Sequence, residues 1–318
     1  MKKAGGKPII KIRNLVKKYK RATVNAVDDI SFEINQGEFF ALLGPNGAGK
    51  TTTISIISTT LSKTSGKVYI DGLDLDKNPS KIRNLIGVIF QNPSLDQNLT
   101  AEENIRFHAV LYGLYNFQPV YSWMPEIYKK KIMQLSDLLE LKNDIFKPIK
   151  TYSGGMKRKL EIIRSLIHDP KILILDEPTS GLDPLARKNL WQYIWETQKK
   201  HNMTILLTTH YLEEAEYADN ICVVNNGKII SYGSPDKIKA NLIEEYILVD
   251  AVDRETLIGE LRRYNMPFEL GQSIKIIVKK NTAQEIIRKI KTNLSQLKIH
   301  TPSLEEAYLE LISKDHET

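Results

Sequence analysis

A strand, a glycine-rich loop and a helix follow one another between residues 38 and 61, and this run constrains the fold most. The strand is the short apolar run 38–43, and the helix is predicted over 51–61. The loop between them, Gly44-Pro45-Asn46-Gly47-Ala48-Gly49-Lys50-Thr51, matches the pattern G-x-x-x-x-G-K-[ST]. Its glycines let backbone N–H groups face phosphate oxygens, Lys50 supplies a cation, and the Thr51 hydroxyl can bind Mg²⁺. The sequence therefore predicts a nucleotide-phosphate site where an apolar strand ends.

Further apolar strands alternate with helices along the chain, which predicts a layered α/β domain with a parallel sheet. The strands are predicted at 9–16, 38–43, 172–175 and 204–207, and the helices at 51–61 and 184–200. Asn226-Gly227 predicts a hairpin between two short strands. Residues 95–160 break this rhythm, begin near a capping box at Thr100–Glu103, and are interpreted as a helical insertion.

The last part of the chain has a different pattern. Strands are predicted at 246–250, 268–270, 273–279 and 296–300, and helices at 253–264 and 282–294, with Leu294 on the apolar face of the latter. A final helix is capped by Ser303 and Glu306. This order approximates a split βαβ arrangement. With 318 residues favouring about two domains, we predict an α/β domain at 1–235 and a small α+β domain at 236–318.

Two carboxylates come directly after the apolar strand 172–175, namely Asp176 and Glu177. The carboxyl ends of parallel strands are where such sheets bind ligands. Asp176 is placed to hold Mg²⁺, and Glu177 to act as general base toward an attacking water. Solvated acids at a strand end are the structural alternative, which the phosphate loop makes less favoured.

The net charge of +7 is unevenly distributed, because residues 1–27 carry nine Lys and Arg and no acid. A basic chain suggests nucleic acid as a partner, but this distribution weakens that hypothesis. No apolar run reaches the ~20 residues that span a bilayer, and the N-terminus lacks the apolar centre of a signal peptide. Cys222 is interpreted as a buried small hydrophobe, and Trp191 and Trp195 as helix packing.

Thr151-Tyr152-Ser153-Gly154-Gly155-Met156-Lys157 lies between the phosphate loop and the carboxylate pair. Ser153 and the two glycines open a helix whose N-terminus can bind an anion. In this order the motifs resemble those of the ATP-binding subunit of an ABC transporter, with Tyr152 where leucine is usual, a pattern similar to drug-exporter members. The resemblance implies the P-loop NTPase fold of an ABC ATPase domain, and it covers residues 8–235 strongly.

The resemblance also implies the roles of the site residues. Two subunits would pack head to tail, each ATP lying between one phosphate loop and the other subunit's signature. The implied catalytic residues are Glu177 and His210. The implied ATP contacts are Tyr19 on adenine, Gly44, Pro45, Asn46, Gly47, Ala48, Gly49, Lys50, Thr51, Thr52 and Gln91. Mg²⁺ would be held by Thr51, Gln91 and Asp176. The signature contacts are Ser153, Gly154, Gly155 and Met156, and the dimer-interface loop is Ser180, Gly181, Leu182 and Asp183.

The function implied is ATP hydrolysis that powers transport through a separate integral-membrane permease, with export preferred over import. The chain would then be cytoplasmic and peripheral on the inner face of the membrane, with a second ATPase subunit as partner, a homodimer being favoured, and no nucleic acid. The helical insertion and the Gln91 region would form the docking groove, while segment 112–125 either contributes or is a packed loop. The alternative is a soluble, non-transport ABC ATPase acting on DNA or ribosomes, which the basic C-terminal residues keep open.

Overall fold

The computed structural model describes residues 7–91, 94–180, 182–242, 246–278, 283–301 and 303–317. Contacts divide the chain between Tyr232 and Gly233 into two compact units, here called the cassette unit and the C-terminal unit. Within the described residues, none of the helices combines the length and hydropathy that crossing a bilayer requires.

The cassette unit is built on two sheets. Its strands are β1 (Pro8–Lys17), β2 (Val27–Asn35), β3 (Phe39–Leu43), β4 (Ser65–Ile70), β5 (Leu73–Asp74), β6 (Ile86–Ile89), β7 (Ile172–Asp176), β8 (Thr204–Thr209), β9 (Asn220–Asn225) and β10 (Lys228–Gly233). Its helices are α1 (Lys50–Ile57), α2 (Pro79–Arg83), α3 (Ala101–Leu111), α4 (Glu126–Leu138), α5 (Gly154–Leu166), α6 (Pro184–His201) and α7 (Leu212–Ala215).

The larger sheet has the order β10-β9-β3-β8-β7-β6, and the pairings of β3, β6, β7, β8 and β9 are parallel. Strands β3, β7 and β8 are buried along their whole length, as continuous apolar runs predict for a sheet covered on both faces. The smaller sheet, β2-β1-β4-β5, is antiparallel. Residues of both sheets and α1 form one apolar core, including Ile34, Phe40 and Ile54. The predicted α/β class is therefore confirmed.

The helical insertion between β6 and β7 begins as the sequence indicates. The Thr100 side chain accepts from the Glu103 N–H at 3.2 Å, and the Glu103 carboxylate accepts from the Thr100 N–H at 2.8 Å. This reciprocal pair satisfies two backbone donors that the first turn of α3 would otherwise leave free. Helices α3, α4 and α5 follow, with segment 112–125 between the first two.

The C-terminal unit contains α8 (Pro235–Leu242), β11 (Tyr246–Ala251), α9 (Arg254–Arg263), β12 (Phe268–Leu270), β13 (Ile274–Ile277), α10 (Ala283–Lys289), β14 (Leu294–His300) and α11 (Leu304–Glu317). Its sheet has the order β12-β13-β11-β14, with antiparallel pairings throughout. From β11 to β14 this is the predicted βαββαβ split βαβ arrangement. Ser303 and Glu306 form the predicted reciprocal cap at α11.

Two predicted helices end earlier than the sequence pattern indicates. Helix α1 stops at Ile57 rather than at residue 61, because Thr59 adopts a left-handed φ of 64° and the N–H of Thr60 turns back to the Ser55 carbonyl. The helix predicted over 282–294 is α10, which ends at Lys289; residue 282 lies outside the described residues. Leu294 instead begins β14, where it pairs with Ala251.

Candidate nucleotide-hydrolysis site

The phosphate loop joins the end of β3 to the start of α1. Gly49 has a φ of 103°, and a Cβ at this position would lie 2.4 Å from the Ala26 carbonyl oxygen, so only glycine fits. The Lys50 ammonium is nearly buried and donates to the carbonyls of Gly44 at 2.7 Å and Pro45 at 3.0 Å. Burial lowers the pKa of Lys50, while the nearby charges of Glu177 and Asp176 act in the opposite direction. The loop thus holds a poorly hydrated cation that an anionic ligand can pair with.

Asp176 lies at the end of β7 and faces α1. Its Oδ1 atom accepts from the Thr208 hydroxyl and, at 3.4 Å, from the Thr51 hydroxyl. Burial raises the pKa of Asp176, and the charge of Glu177 raises it further, against the hydrogen bonds from Thr208 and Thr51. A divalent cation would offset the cost of burying the Asp176 charge, since it favours the charged form of the carboxyl.

The predicted metal ligands are suited to Mg²⁺ in their chemistry. Thr51 and Asp176 present a hydroxyl and a carboxylate oxygen to each other, and Mg²⁺ takes oxygen ligands and keeps several waters beside one or two carboxylates and substrate phosphates. In the part of the chain that the structure describes, no three His, Cys, Asp or Glu side chains group as metal ligands. The third predicted ligand, Gln91, directs its amide nitrogen to Glu177 rather than to the Thr51–Asp176 pair.

Glu177 is the meeting point of three chain segments. Its Oε2 accepts from Gln91 Nε2 at 3.0 Å, and its Oε1 lies 3.2 Å from His210 Nδ1. The Glu177 backbone has a φ of 46°, a left-handed conformation that costs a non-glycine residue energy. Its N–H donates to the Thr208 carbonyl at 3.0 Å, which holds that conformation. Because β8 pairs with β7, His210 emerges beside Glu177.

Tyr19, the predicted adenine contact, lies near Thr52 in the first turn of α1. Its hydroxyl is 3.3 Å from the Thr52 hydroxyl, and the Lys17 ammonium is 5.4 Å from its ring centre. The side chain is 45% exposed, so the ring offers a surface for stacking.

The signature segment, residues 153–156, forms the start of α5. The Ser153 hydroxyl accepts from the Met156 N–H at 3.2 Å, which caps the helix, and Ser153 and Gly154 are exposed. Tyr152 is buried, donates to the Asp144 carbonyl at 2.7 Å, and has its pKa raised by burial to about 12. Among the described residues, no hydrogen bond joins this segment to the phosphate loop. The phosphate loop and the N-terminus of α5 are therefore separate features of one chain.

The predicted interface loop comes shortly after Glu177. Ser180 and Asp183 are exposed and Leu182 is half-buried, whereas Gly181 lies outside the described residues. The Asp183 side chain accepts from the Ala186 N–H at 2.9 Å and so caps α6, which begins with Pro184.

The sequence patterns did not identify Arg158, which joins the signature helix α5 to the site. Its guanidinium is buried and donates to the carbonyls of Pro178 at 2.7 Å, Phe90 at 2.6 Å and Glu177 at 3.2 Å. It also pairs with the buried Glu161 carboxylate at 2.9 Å. The sequence did contain a signal for this pair, because Arg158 and Glu161 are three residues apart on one helix and lie among apolar residues. Charged side chains at such positions are rarely buried unless they pair with each other.

Comparison with known proteins places these motifs in a family. The family model described as ABC transporter matches residues 27–180. The chain is 39% identical over 235 residues to the probable multidrug ABC transporter ATP-binding protein YbhF of Escherichia coli, a match covering 74% of this chain and 39% of YbhF. It is 32% identical over 322 residues to the linearmycin resistance ATP-binding protein LnrL of Bacillus subtilis, covering 96% of this chain and 99% of LnrL.

The fold is similar to that of solved ATP-binding cassettes. One is the dimeric cassette MJ0796 in a post-hydrolysis state bound to ADP and phosphate, with 27% identity and a TM-score of 0.63 over 71% of this chain and 98% of that chain. The match to LnrL extends over nearly the full length of both proteins. On that likeness, and on the family model, this chain belongs to the ATP-binding proteins of ABC transporters.

Proposed function

We propose that this chain hydrolyses ATP as one half of a pair of cassettes and thereby drives export through a separate integral-membrane permease. The observation that carries the proposal is Glu177, held between Gln91 and His210 beside the phosphate loop. Cassettes of this family hydrolyse ATP. Among the relatives of this chain, YbhF is named a probable multidrug transporter protein and LnrL a linearmycin resistance protein.

In the proposed hydrolysis step, Glu177, its two partners and Lys50 have different roles. A water oxygen attacks the γ-phosphorus, the bond to the bridging β–γ oxygen breaks, and the proton of the water passes to the Glu177 carboxylate. The two partners of Glu177 each contact one oxygen of its carboxylate: Gln91 donates from Nε2 to Oε2, and His210 Nδ1 lies beside Oε1. Lys50 neutralises the β- and γ-phosphates. Thr51 and Asp176 would hold Mg²⁺, with the Gln91 amide oxygen as the third predicted ligand, and the ion would supply further neutralisation of phosphate charge.

Pairing of two copies supports a complete site. Ser153 and Gly154 are exposed at the N-terminus of α5, where peptide N–H groups and the helix dipole attract a phosphate. The solved MJ0796 cassette is a dimer with ADP and phosphate. We assign the γ-phosphate contact of residues 153–156 to the ATP bound by the second copy, with Ser180, Gly181, Leu182 and Asp183 at the interface.

The helical insertion offers a surface suited to the permease. Segment 112–125 packs on α3, because Arg106 donates to the Gln118 carbonyl at 2.6 Å and the rings of Phe107 and Phe117 stack with centres 6.0 Å apart. It also packs on α4, where the ring centres of Tyr115 and Tyr128 are 5.5 Å apart. The same region exposes large apolar side chains, namely Phe107, Leu111, Leu114, Phe117, Val120, Trp123 and Ile127. Such a concentration is typical of a protein-binding site. It supports this surface as the docking site for the permease, which would make the chain peripheral on the cytoplasmic face of the membrane.

Co-purification and ATPase measurements test the proposal together. The full chain, co-expressed with the membrane protein of its transport system, is expected to co-purify with it and to hydrolyse ATP with Mg²⁺. Trp123→Ser is expected to weaken co-purification, whereas Val252→Ser, which also replaces an exposed apolar residue but in the C-terminal unit, is not. Salt-dependent binding of DNA or RNA, without any membrane partner, would instead favour the soluble ATPase alternative.

A further inference from the structure

A buried glutamate beside the site has a role that none of the motifs describes. Glu214 lies in the four-residue helix α7 and is 3% exposed. Its Oε1 accepts from the Thr179 hydroxyl and from the Trp191 indole N–H at 3.2 Å. Its Oε2 accepts from the Thr209 hydroxyl at 2.6 Å. One carboxylate therefore binds three donors that are distant from one another in sequence.

Each donor belongs to an element that positions a site residue. Thr179 lies two residues after Glu177 and precedes the interface loop. Thr209 ends β8 and directly precedes His210, and its oxygen also accepts from the Tyr211 N–H at 2.9 Å. Trp191 lies on α6 and stacks on Phe39 of β3 with ring centres 5.7 Å apart. The carboxylate thus links the chain after β7, the chain after β8 and α6.

The His210 segment needs such a link for physical reasons. A four-residue helix has little stability of its own, because helix nucleation is costly. The His210 side chain is 40% exposed and yet lies 3.2 Å from the Glu177 carboxylate. The buried Glu214 carboxylate binds the hydroxyls of Thr179 and Thr209. Because Thr179 follows Glu177 and Thr209 precedes His210, these bonds restrict the motion of both segments.

We infer that Glu214 is a positioning residue that fixes His210 and the segment after Glu177 relative to each other, and that it acts on turnover rather than on nucleotide binding. The inference rests on the proposed ATP hydrolysis. The three donors of Glu214, from Thr179, Trp191 and Thr209, all lie outside the phosphate loop. Its loss should therefore leave the binding of ATP intact and misplace the groups around the attacking water.

The test compares two adjacent glutamates in the full chain. Glu214→Gln keeps the side-chain shape but replaces one acceptor oxygen by a donor amide, so at least one of the three donated protons loses its present acceptor. Glu213→Gln makes the same chemical change at an exposed position. We expect Glu214→Gln to lower kcat on the order of tenfold to a hundredfold, the scale of small misplacements in active sites. The ATP dissociation constant should stay at the wild-type value, and Glu213→Gln should behave as wild type.

A His210→Ala background separates positioning from a general structural role. Because part of the effect of Glu214 passes through His210, Glu214→Gln should lower kcat by a smaller factor in that background than in the wild type, since one of the two positioned groups is gone. A merely structural role predicts the same loss of kcat in both backgrounds, and that result would overturn the inference. Thr179→Val and Thr179→Ser provide a second pair: the valine should lower kcat and the serine, which keeps the hydroxyl, should retain it. This pair decides the question if Glu214→Gln does not fold.

The failures of the two proposals are distinguishable. A wild-type chain that hydrolyses no ATP, alone or with its permease, contradicts the proposed function. An active wild type in which Glu214→Gln and Glu213→Gln have equal kcat contradicts only the role of Glu214.

Discussion

Replacing Arg158 by methionine tests how the signature helix is held to the catalytic core. The Arg158 and Glu161 side chains are 7% and 2% exposed, and their charged atoms are 2.9 Å apart. Arg158→Met removes the cation and leaves a buried carboxylate, whose remaining partners are the Ser94 N–H at 3.1 Å and the Arg164 guanidinium at 3.9 Å. It also removes the donors that the carbonyls of Phe90 and Pro178 use.

The loss of stability in Arg158→Met depends on how deeply the remaining Glu161 carboxylate is buried. Removing one partner of a buried ion pair costs about 3–5 kcal/mol of unfolding free energy, because the other charge stays out of water without compensation. In a unit of this size a loss of about 4 kcal/mol corresponds to a fall in Tm of roughly 10 °C. Urea unfolding monitored by tryptophan fluorescence measures the first quantity, and thermal unfolding the second.

Two further variants make the test specific. Lys159→Met, at the next position of α5, breaks the ion pair with the exposed Glu140 and should cost far less, since solvent screens that pair. Arg158→Met combined with Glu161→Leu removes both charges and should be less destabilised than Arg158→Met alone. A loss below about 1 kcal/mol for Arg158→Met, or a double variant that loses as much stability as Arg158→Met or more, would refute the reasoning.

Three other predictions concern the nucleotide site and its surroundings. Glu177→Gln should keep ATP binding, lower kcat by about 10²–10⁴-fold through loss of the general base, and accumulate an ATP-dependent dimer in size-exclusion chromatography; wild-type turnover would contradict this role. Lys50→Ala should weaken ATP binding in calorimetry, and an unchanged affinity would count against the phosphate loop. His108 has its pKa lowered from 6.5 to about 3, chiefly by burial. The stability that its neutral form contributes is therefore present above pH 6.5 and is lost as the pH falls toward 3, by up to about 1.4 kcal/mol per pH unit. Urea unfolding between pH 7 and pH 4 should show a shallower decline for His108→Leu than for wild type; an equal decline would show that His108 is not the titrating group.

Local chemistry explains which parts of the fold were predictable. The phosphate loop, the capping box at Thr100 and the cap at Ser303 depend on residues within a few positions of each other, so their patterns are visible in the sequence. The end of α10 was not predictable in this way. Ile286, Ile287 and Ile290 continue a helical period, but the Glu260 carboxylate binds the N–H groups of Lys291 and Thr292, and the chain turns into β14. Tertiary contacts there overrode the periodicity.

Some features of the candidate site were likewise visible in the sequence, and others were not. The sequence by itself determined the residue types and their order: a phosphate loop, a capped glycine segment, a carboxylate pair and a histidine after a buried strand. Only the tertiary structure decided that Glu177 meets both Gln91 and His210, since β7 pairs with β6, which precedes Gln91, and with β8, which precedes His210. It alone assigned partners to Arg158 and Glu214, whose donors and acceptors lie up to 68 and 35 residues away in sequence. A buried charge is stable only where the folded chain supplies its counter-charge and hydrogen bonds, and a linear pattern does not contain that information.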